Sequence, residues 1–444
     1  MRKLDTHVDF APAAMTGPAP NYVSGIPRSQ VDLPTMANGG LDAVFFSVYT
    51  GQRQDFSDSS YARARAKDIA NFDAVHGLAA RLATDRIAIA YTVAEVTRLH
   101  AAGRLVARMG VENGYGLGLD IRNVADFHKR GARYYSLAHD GHHQLSDSNT
   151  GEATNSGKWH GRSPLGRQVV QEANRLGIML DISHPSKVSN MQVMAMRQAP
   201  VIASHSGVRA IGDHSRNLED EQRLALKENG GVVQLVAFNS YVKTPKPPTP
   251  ERAAALDSRF PPPPRATVKD FVDHVDHAVK LIGLDHVGLS SDFDGGGIDG
   301  FSNATESFNV TLELVRRGYA EGDIATLRSG NLRRVLSRVE KVAAGSRRGP
   351  RRRAGLVGAG APRTARYFPN ALSISRRKFT TTIGGGGAFA SPRGRKVMIP
   401  ASIGSTSKPR PATIGATGAM RVTRGAIFMS SWAAYSVSPA SFSK

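Results

Sequence analysis

The stretch that decides the fold is SPLGRQVVQEANRLGIMLDISHPS, residues 163–186, in which a helical pattern runs directly into a short apolar segment. Ser163 suits the N-cap of a helix, an apolar stripe with a spacing of three to four residues follows, and Gly177 suits the helix end. The apolar run 178–182 predicts a strand that is buried on both faces. His184 stands just past this strand, so the unit ends on a polar, metal-capable side chain.

Runs of the same kind recur eight times along the chain, with helical patterns between them. They cover residues 3–6, 41–48, 105–109, 133–137, 178–182, 201–203, 232–236 and 286–290. Eight strands that alternate with helices over about 340 residues predict an α/β fold, the (β/α)₈ or TIM barrel. A doubly wound open sheet is the alternative, but no glycine-rich nucleotide-binding motif follows the first strand.

The net charge of +21 is concentrated at one end of the chain. Residues 341–444 contain 19 Lys and Arg but no Asp, Glu or His, whereas residues 1–340 contain 39 basic and 37 acidic residues. We therefore predict a barrel domain over 1–340 and a disordered basic tail over 341–444, rich in Gly, Ser, Pro and Arg. Nucleic acid is an expected partner only if this basic tail has a function of its own.

The composition also indicates the cellular compartment of the protein. The chain contains no cysteine, which excludes disulfides and thiolate metal sites. No apolar run approaches the ~20 residues of a membrane span, and no secretory signal precedes the first strand. We expect a cytoplasmic protein by default, or a periplasmic one if an N-terminal leader is missing.

Metal-capable side chains follow six of the eight predicted strands. They are His7, Asp9, Glu112, His139, His184, His205 and Asp292. A barrel brings the C-terminal ends of its strands to one rim, where enzymes of this fold keep their active sites. One histidine at a strand end is usually structural, but seven ionisable groups at one rim would be costly unless a cation or mutual pairing compensates them. The joint pattern predicts a metal site.

The types of ligand restrict which metal ions the site would bind. Imidazole and carboxylate without thiolate favour Zn²⁺, with Mn²⁺, Co²⁺ or Fe²⁺ as alternatives. His7 with Asp9 and His184 with His205 form two clusters, and Glu112 can bridge them. Two ions that share a carboxylate and a water make a hydrolytic site, because the water is acidified to hydroxide near neutral pH and one ion polarises the scissile carbonyl.

A set of motifs runs in order along residues 4–340: DTHVDF, VENGYGLG, LGIMLDISHPS, APVIASHSGVRAI, HSRNL, LKENGGVVQL, DHVGLSSDFDG and GNLRRVL. Together they resemble the membrane dipeptidase (renal dipeptidase) family of zinc peptidases. This resemblance implies a metallo-dependent hydrolase barrel with two Zn²⁺ per chain. It also implies hydrolysis of dipeptides to free amino acids by a metal-bridging hydroxide.

The resemblance also implies the metal ligands. His7 and Asp9 would bind one zinc, and His184 and His205 would bind the other. Glu112 would bridge the two ions and take part in catalysis. Family members often form dimers, and a homodimer of this chain would have no disulfide because cysteine is absent.

Three further residues match the substrate-binding and catalytic positions of the family. His139 would stabilise the oxyanion, Arg216 would hold the free carboxylate of the dipeptide, and Asp292 would handle the proton and face the amine. These roles agree with physical chemistry, since a guanidinium fork suits a carboxylate and an acid suits an ammonium group. The alternative for Arg216 is a surface ion pair.

Other polar residues near the motifs are left out of the ligand set. His142 and His143 are expected in the rim or a loop, and Asp294 is expected to shape its loop through hydrogen bonds to the backbone. His274 and His277 fall on an amphipathic helical pattern and are expected to face solvent.

Two alternative functions stay open at this point. One is a metal-dependent amidase or lactamase that uses the same rim. The other is an inactive barrel whose basic tail binds nucleic acid.

Overall fold

The strands of the barrel follow the predicted order. A computed structural model describes residues 3–52, 55–196, 198–244 and 265–347. In these residues the strands are β1 (Leu4–Val8), β2 (Ala43–Tyr49), β3 (Ile87–Ile89), β4 (Leu105–Glu112), β5 (Ala132–Ser136), β6 (Met179–Asp181), β7 (Ile202–Ser206), β8 (Val232–Val236) and β9 (Val287–Ser290). All eight predicted strands are confirmed, and β3 is an addition.

The strands described above pair in parallel, in the order β1-β2-β4-β5-β6-β7-β8-β9, and β3 pairs with β4 at the side of this path. An isolated parallel bridge between Val8 and Phe293 brings the end of β9 back to β1, and the amide of Asp9 donates to the Phe293 carbonyl at 2.8 Å. The eight strands therefore form a nearly closed barrel with helices outside it, as predicted.

Helices connect the strands. They are α1 (Pro12–Thr16), α2 (Leu33–Gly39), α3 (Asp58–Gly77), α4 (Val93–Ala101), α5 (Arg122–Arg130), α6 (Pro164–Leu176), α7 (Lys187–Ala195), α8 (Asp220–Asn229), α9 (Asn239–Val242), α10 (Val268–Ile282), α11 (Ser307–Arg316), α12 (Glu321–Ala325) and α13 (Asn331–Arg347). Short 3₁₀ helices occur at Gly114–Leu117, Asn149–Gly151, Leu284–His286 and Ala304–Glu306. Single turns of π-helix occur at Leu78–Leu82 and Thr326–Gly330.

Helix α6 shows why the sequence folds this way. The Ser163 hydroxyl accepts a hydrogen bond from the Gly166 amide at 2.9 Å, which satisfies one of the free donors of the first turn. Gly177 ends the helix with a φ of 86°, a conformation that costs glycine little. Val169 and Val170 are fully buried against the sheet, so the apolar stripe fixes the face that α6 presents to the barrel.

The prediction that His274 faces solvent is wrong. This α10 side chain is 1% exposed, its Nδ1 accepts from the Val208 amide at 3.0 Å, and its Nε2 donates to the Val242 carbonyl at 3.0 Å. Burial lowers the pKa of His274 to about 4. The neutral ring ties α10 to two loops of the rim, a tertiary contact that helical periodicity alone does not reveal. His277, one turn later, is half-buried beside Asp220.

The predicted start of the disordered tail at residue 341 is wrong, because α13 continues to Arg347 and Ala343 is fully buried. The rest of the tail lies outside the described residues, so its disorder stays a prediction. In the part of the chain that the structure describes, none of the helices is both long and apolar enough to cross a membrane.

Candidate metal centre

The predicted metal ligands converge at the C-terminal rim of the barrel. Glu112 is the last residue of β4, while His7 and His205 lie near the ends of β1 and β7. His139 and His184 follow β5 and β6 by three residues each. Asp9 and Asp292 follow β1 and β9. All seven are brought to one rim because parallel barrel strands end on the same side.

Glu112 stands between two groups of histidines. Its Oε2 lies 3.3 Å from His7 Nε2 and accepts a hydrogen bond from the Ser47 hydroxyl at 2.9 Å. Its Oε1 lies 2.9 Å from His184 Nε2 and 3.4 Å from His205 Nε2. The two oxygens of one carboxylate thus face different imidazoles, which is the arrangement a bridging ligand requires.

Three overlapping sets of ligand atoms are each compact enough to surround one cation, with all atoms within 4.8 Å of one another. We call His7, Glu112 and His205 the inner group, and Glu112, His139 and His184 the outer group. The third set is His7, Asp9 and Asp292, in which the Asp292 Oδ1 is 3.7 Å from His7 Nε2. His139 and Asp292 thus lie within ligand distance of the predicted ligands, and His205 is close both to His7 and to His184.

The electrostatics of the centre favour a bound cation. Burial raises the pKa of Asp9 and of Asp292, and the negative charge of Glu112 raises both further. For His7 burial alone would lower the pKa, but the facing carboxylates of Glu112, Asp292 and Asp9 outweigh it and raise the pKa to about 10. Burial lowers the pKa of His205 well below its ordinary value. Acids and imidazoles at this separation are stabilised together by positive charge placed between them.

The donor set fits divalent transition metals. Imidazole nitrogens and carboxylate oxygens without thiolate are the ligands that Zn²⁺, Mn²⁺ and Co²⁺ accept. The Nε2 atoms of His184 and His205 lie only 3.0 Å apart and both point toward Glu112. Two imidazole lone pairs at such a distance repel unless a proton or a cation lies near them. The residues present therefore fit a metal centre.

A second layer of polar side chains, which sequence reasoning missed, supports the ligands from inside the barrel. The Tyr134 hydroxyl lies 2.9 Å from His7 Nδ1, and the Ser204 hydroxyl lies 2.7 Å from His205 Nδ1. Tyr134 fits only because β4 carries Gly110 opposite its ring, where an added Cβ would overlap the ring. In the sequence, only the alternation of side chains along a strand could have indicated that Tyr134 and Ser204 point into the barrel.

Arg216 is not a surface residue. It is 2% exposed, donates to the Ser183 carbonyl, and donates through Nη2 to the His205 carbonyl at 3.0 Å. Its guanidinium lies over the Tyr241 ring, 5.3 Å from the centroid. Within the described residues it forms no ion pair with a carboxylate, so the alternative of a surface ion pair is wrong. A buried cation without a counter-ion at the rim suits an anionic substrate group.

His139 lies at the mouth of the site. Its Nε2 is 3.8 Å from the Glu112 Oε1. The centroid of its ring lies 4.1 Å from that of the His184 ring and 4.8 Å from that of the Tyr49 ring. Burial lowers the pKa of His139 to about 4, with the neighbouring His184 adding to the effect. The ring thus lies on the open side of the outer group, beside His184 and Glu112.

The loop after β9 carries Asp292 and Asp294 in the left-handed region, with φ of 59° and 65°. Asp294 accepts from the Gln30 amide at 2.7 Å and from the Ser29 hydroxyl at 2.8 Å, so its predicted loop-shaping role is confirmed. Asp292 is 7% exposed and faces His7 instead. Strained backbone of this kind is often held where a side chain must point at a site.

His142 and His143 lie in the loop after β5, as expected. The ring of His142 accepts from the Ser148 amide at 3.1 Å, and the His143 ring accepts from the Leu145 amide at 3.3 Å. Neither belongs to the groups of potential metal ligands found in the described residues.

A nearly closed parallel barrel with histidines and carboxylates gathered at its C-terminal rim defines a metal-dependent hydrolase. Comparison with known proteins identifies the family. The family model described as membrane dipeptidase (Peptidase family M19) matches residues 1–349. The chain belongs to this family and is a metallo-dipeptidase.

The relatives agree with this assignment. Dipeptidase tcpJ of Claviceps purpurea and dipeptidase aclJ of Aspergillus oryzae are each 33% identical over 319 residues. These matches cover 71% of this chain, 70% of the first relative and 71% of the second.

Solved structures have the same fold. The probable dipeptidase PvdM from Pseudomonas aeruginosa superimposes with a TM-score of 0.71 at 30% identity, over 77% of this chain and 96% of that one. A metallo peptidase from Rhodobacter sphaeroides, liganded with a phosphinate mimic of the dipeptide L-Ala-D-Ala, gives a TM-score of 0.64 at 26% identity, over 76% of this chain and 99% of that one.

Proposed function

We propose that the protein hydrolyses dipeptides to free amino acids with two Zn²⁺ held by His7, Asp9, Glu112, His184 and His205. The observation that carries this proposal is the position of Glu112. Its Oε2 faces His7 and its Oε1 faces His184 and His205, so one carboxylate can serve two ions. When bound, the ions would acidify a water molecule and polarise the scissile carbonyl.

The remaining chemistry falls to side chains of this chain. His139, a member of the outer group that is not among the proposed zinc ligands, would donate a hydrogen bond to the carbonyl oxygen as negative charge develops on it. Asp292, across the centre beside His7, would take the proton of the attacking water and deliver it to the leaving nitrogen. The peptide C–N bond then breaks and leaves one free carboxylate and one free amine.

Recognition of a dipeptide needs a group for each of its charged ends. Arg216 has no carboxylate partner in the described part of the chain and lies beside His205, so it would bind the C-terminal carboxylate. Asp292 lies on the His7 side and would hold the N-terminal ammonium group. A Rhodobacter sphaeroides neighbour with a dipeptide mimic bound supports a substrate of this size.

The test is turnover and metal content of the full chain. We expect about two equivalents of zinc, hydrolysis of a dipeptide panel that a chelator abolishes, and restoration by Zn²⁺. The His184→Ala, His205→Ala double variant should lose metal and activity, whereas His277→Ala, a half-buried histidine away from the centre, should keep both. Turnover of N-acyl amino acids in preference to dipeptides would favour the amidase alternative, because those substrates lack the amine that Asp292 would hold.

Two equivalents of Mn²⁺, Co²⁺ or Fe²⁺ in protein isolated from its host would overturn the choice of zinc but not the proposed hydrolysis of dipeptides. A homodimer is the assembly we propose, and sedimentation of the purified chain tests it.

A further inference from the structure

A cleft of about 590 Å³ opens beside the outer group. Gln52, Phe56, Asp140 and Lys158 are among its lining residues. The cleft adjoins the centre through Asp140, whose Oδ1 is 3.4 Å from His184 Nδ1. This volume falls in the range of sites that hold a whole small ligand, and so exceeds what the two backbone ends of a dipeptide require.

Lys158 presents a preorganised cation to this cleft. Its ammonium lies 4.4 Å from the Phe56 ring centroid and 5.4 Å from that of Trp159, and it forms no ion pair within the described residues. The Lys158 amide donates to the buried Asp147 Oδ1 at 2.6 Å, and the Gly161 amide donates to Asp147 Oδ2 at 3.0 Å. The backbone of the loop that carries Lys158 is therefore fixed by the carboxylate of Asp147.

The position of the cleft relative to Arg216 and Asp292 indicates which residue of a dipeptide would have its side chain in the cleft. Arg216 donates to the carbonyl of Ser183, and Asp140 lies beside the next residue, His184. The guanidinium and the cleft thus adjoin the same short segment, whereas Asp292 lies across the centre beside His7. The substrate residue whose carboxylate Arg216 binds is the one whose side chain is nearest the cleft.

We propose that the cleft binds the side chain of the C-terminal residue and that Lys158 favours an acidic side chain there. This specificity rests on the proposed dipeptidase function. Aspartate or glutamate would place a carboxylate near the ammonium, while its methylene groups would pack on Phe56. The exposed lysine limits the expected selectivity to about fivefold, the upper range for a solvent-exposed ion pair.

The experiment compares kcat/KM for Ala-Asp and Ala-Glu with kcat/KM for Ala-Asn and Ala-Gln. In wild type the acidic substrates should be preferred, and Lys158→Met should lower this ratio about fivefold. Lys227→Met on α8, away from the cleft, should leave the ratio unchanged. An unchanged ratio in Lys158→Met overturns the specificity proposal alone, and failure of wild type to cleave any of the four dipeptides overturns the proposed function with it.

A separate observation concerns His205. Asp181 is 1% exposed, and its Oδ2 lies 2.6 Å from the Ser204 hydroxyl, which lies 2.7 Å from His205 Nδ1. Its Oδ1 accepts from the Ser204 amide at 2.9 Å and from the Ser183 hydroxyl at 2.8 Å. An ionised carboxylate only accepts, so the single proton of the Ser204 hydroxyl goes to Asp181. The hydroxyl must then accept from His205 Nδ1–H, which leaves the Nε2 lone pair facing Glu112.

From this chain of hydrogen bonds we infer that Asp181 and Ser204 are positioning residues that fix the tautomer of His205 and so set the affinity for the ion that His205 binds. Second-layer partners of this kind orient the ligand ring and raise its basicity. Ser206 on the same strand provides a matched control, because its hydroxyl is buried but makes no hydrogen bond in the described part of the chain.

Zinc affinity measured by competition with a chromophoric chelator tests this role. Ser204→Ala and Asp181→Asn should weaken binding of one of the two ions about tenfold or more, Ser204→Thr should restore it, and Ser206→Ala should bind as wild type. Thermal unfolding of each metal-free variant separates loss of affinity from loss of the fold. Wild-type affinity in Ser204→Ala, or failure of Ser204→Thr to rescue a folded protein, would overturn the assignment.

Discussion

The inner and outer groups of the metal centre share Glu112 but are supported in different ways. In the inner group, His7 Nδ1 and His205 Nδ1 are hydrogen-bonded to hydroxyls of the barrel interior, at 2.9 and 2.7 Å. In the outer group, His184 Nδ1 makes no hydrogen bond within the described residues, and the nearest acid, Asp140, is 3.4 Å away on a side chain that is 58% exposed. The barrel fixes one group, and loops surround the other.

One rim thus combines a rigid and an adaptable ligand set. The inner ligands are oriented before an ion arrives, so little reorganisation is needed when it binds. The outer group adjoins the cleft, because Asp140 lies beside His184 and lines the cleft. We therefore expect tighter metal binding at the inner group and faster exchange at the outer group.

The largest expected effect comes from the residue that the two groups share. Glu112→Gln keeps the shape of the side chain but removes its charge, so both groups lose a ligand. We expect metal content to fall below one equivalent and kcat/KM for a dipeptide to fall by about 10³-fold or more. Elemental analysis and steady-state kinetics check this. A variant that kept two equivalents of metal would show that Glu112 is not a bridge.

The second layer of each group gives a direct test of the comparison. Tyr134→Phe removes the hydroxyl beside His7, and we expect about tenfold weaker metal binding. Asp140→Asn removes the acid beside His184, and we expect a change of less than about threefold because this acid is exposed. Chelator competition on both variants measures the two effects. If the Asp140 variant were the weaker binder, the assignment of rigid and adaptable groups would have to be reversed.

Gly110 allows a test of the inner group by packing alone. Gly110→Ala places a methyl group against the Tyr134 ring, and overpacking of this kind destabilises a core by about 1–3 kcal/mol. We expect a lower thermal midpoint together with weaker zinc binding, since the hydroxyl beside His7 is displaced. The double variant Gly110→Ala, Tyr134→Ala makes room for the methyl group and should recover less affinity than stability. If zinc affinity and thermal stability recovered equally in the double variant, Tyr134 would have no role in metal binding.

Asp68 lies outside the metal centre and gives a reference for a buried acid that has no imidazole partner within the described residues. It is fully buried, accepts from the Thr50 hydroxyl, and has its pKa raised to about 8 because burial disfavours its charge. As the pH rises from about 4 to 8, the unfolded chain loses a proton that the folded chain keeps, so stability falls across that window.

Asp68→Asn removes this proton linkage. Chemical unfolding should show the variant more stable than wild type by about 2 kcal/mol at pH 8, and equal to it near pH 4. A variant that was less stable at pH 8 would indicate that the carboxylate is ionised and paired in the fold. Burial would then not be what separates Asp68 from the acids of the centre.

The sequence allowed the barrel and its ligands to be predicted because both depend on local signals. Each strand is a short apolar run, and each ligand stands at its C-terminal end, as His184 does after β6. The parallel topology then brings those ends together without further information. The short strand β3 is also an apolar run, but it has only three residues and none of the predicted ligands follows it, so it was missed.

The supporting residues could not be predicted in the same way. Ser204 and Tyr134 look like ordinary strand residues, and their roles depend on which side chains the closed barrel places opposite them. His274 illustrates the same limit on a helix, because its two backbone partners come from distant loops around Val208 and Val242. Tertiary contacts of this kind decide whether a polar residue faces solvent or is buried.

The loop held by Asp147 has a consequence for kinetics. Its carboxylate accepts amide protons from Lys158, Trp159 and Gly161, and the Trp159 indole donates to the His143 carbonyl at 2.7 Å. This wall of the entrance is folded before any encounter with substrate, so binding carries no ordering entropy there. We therefore expect that closure of a lid on that side does not limit turnover and that association depends on diffusion and charge.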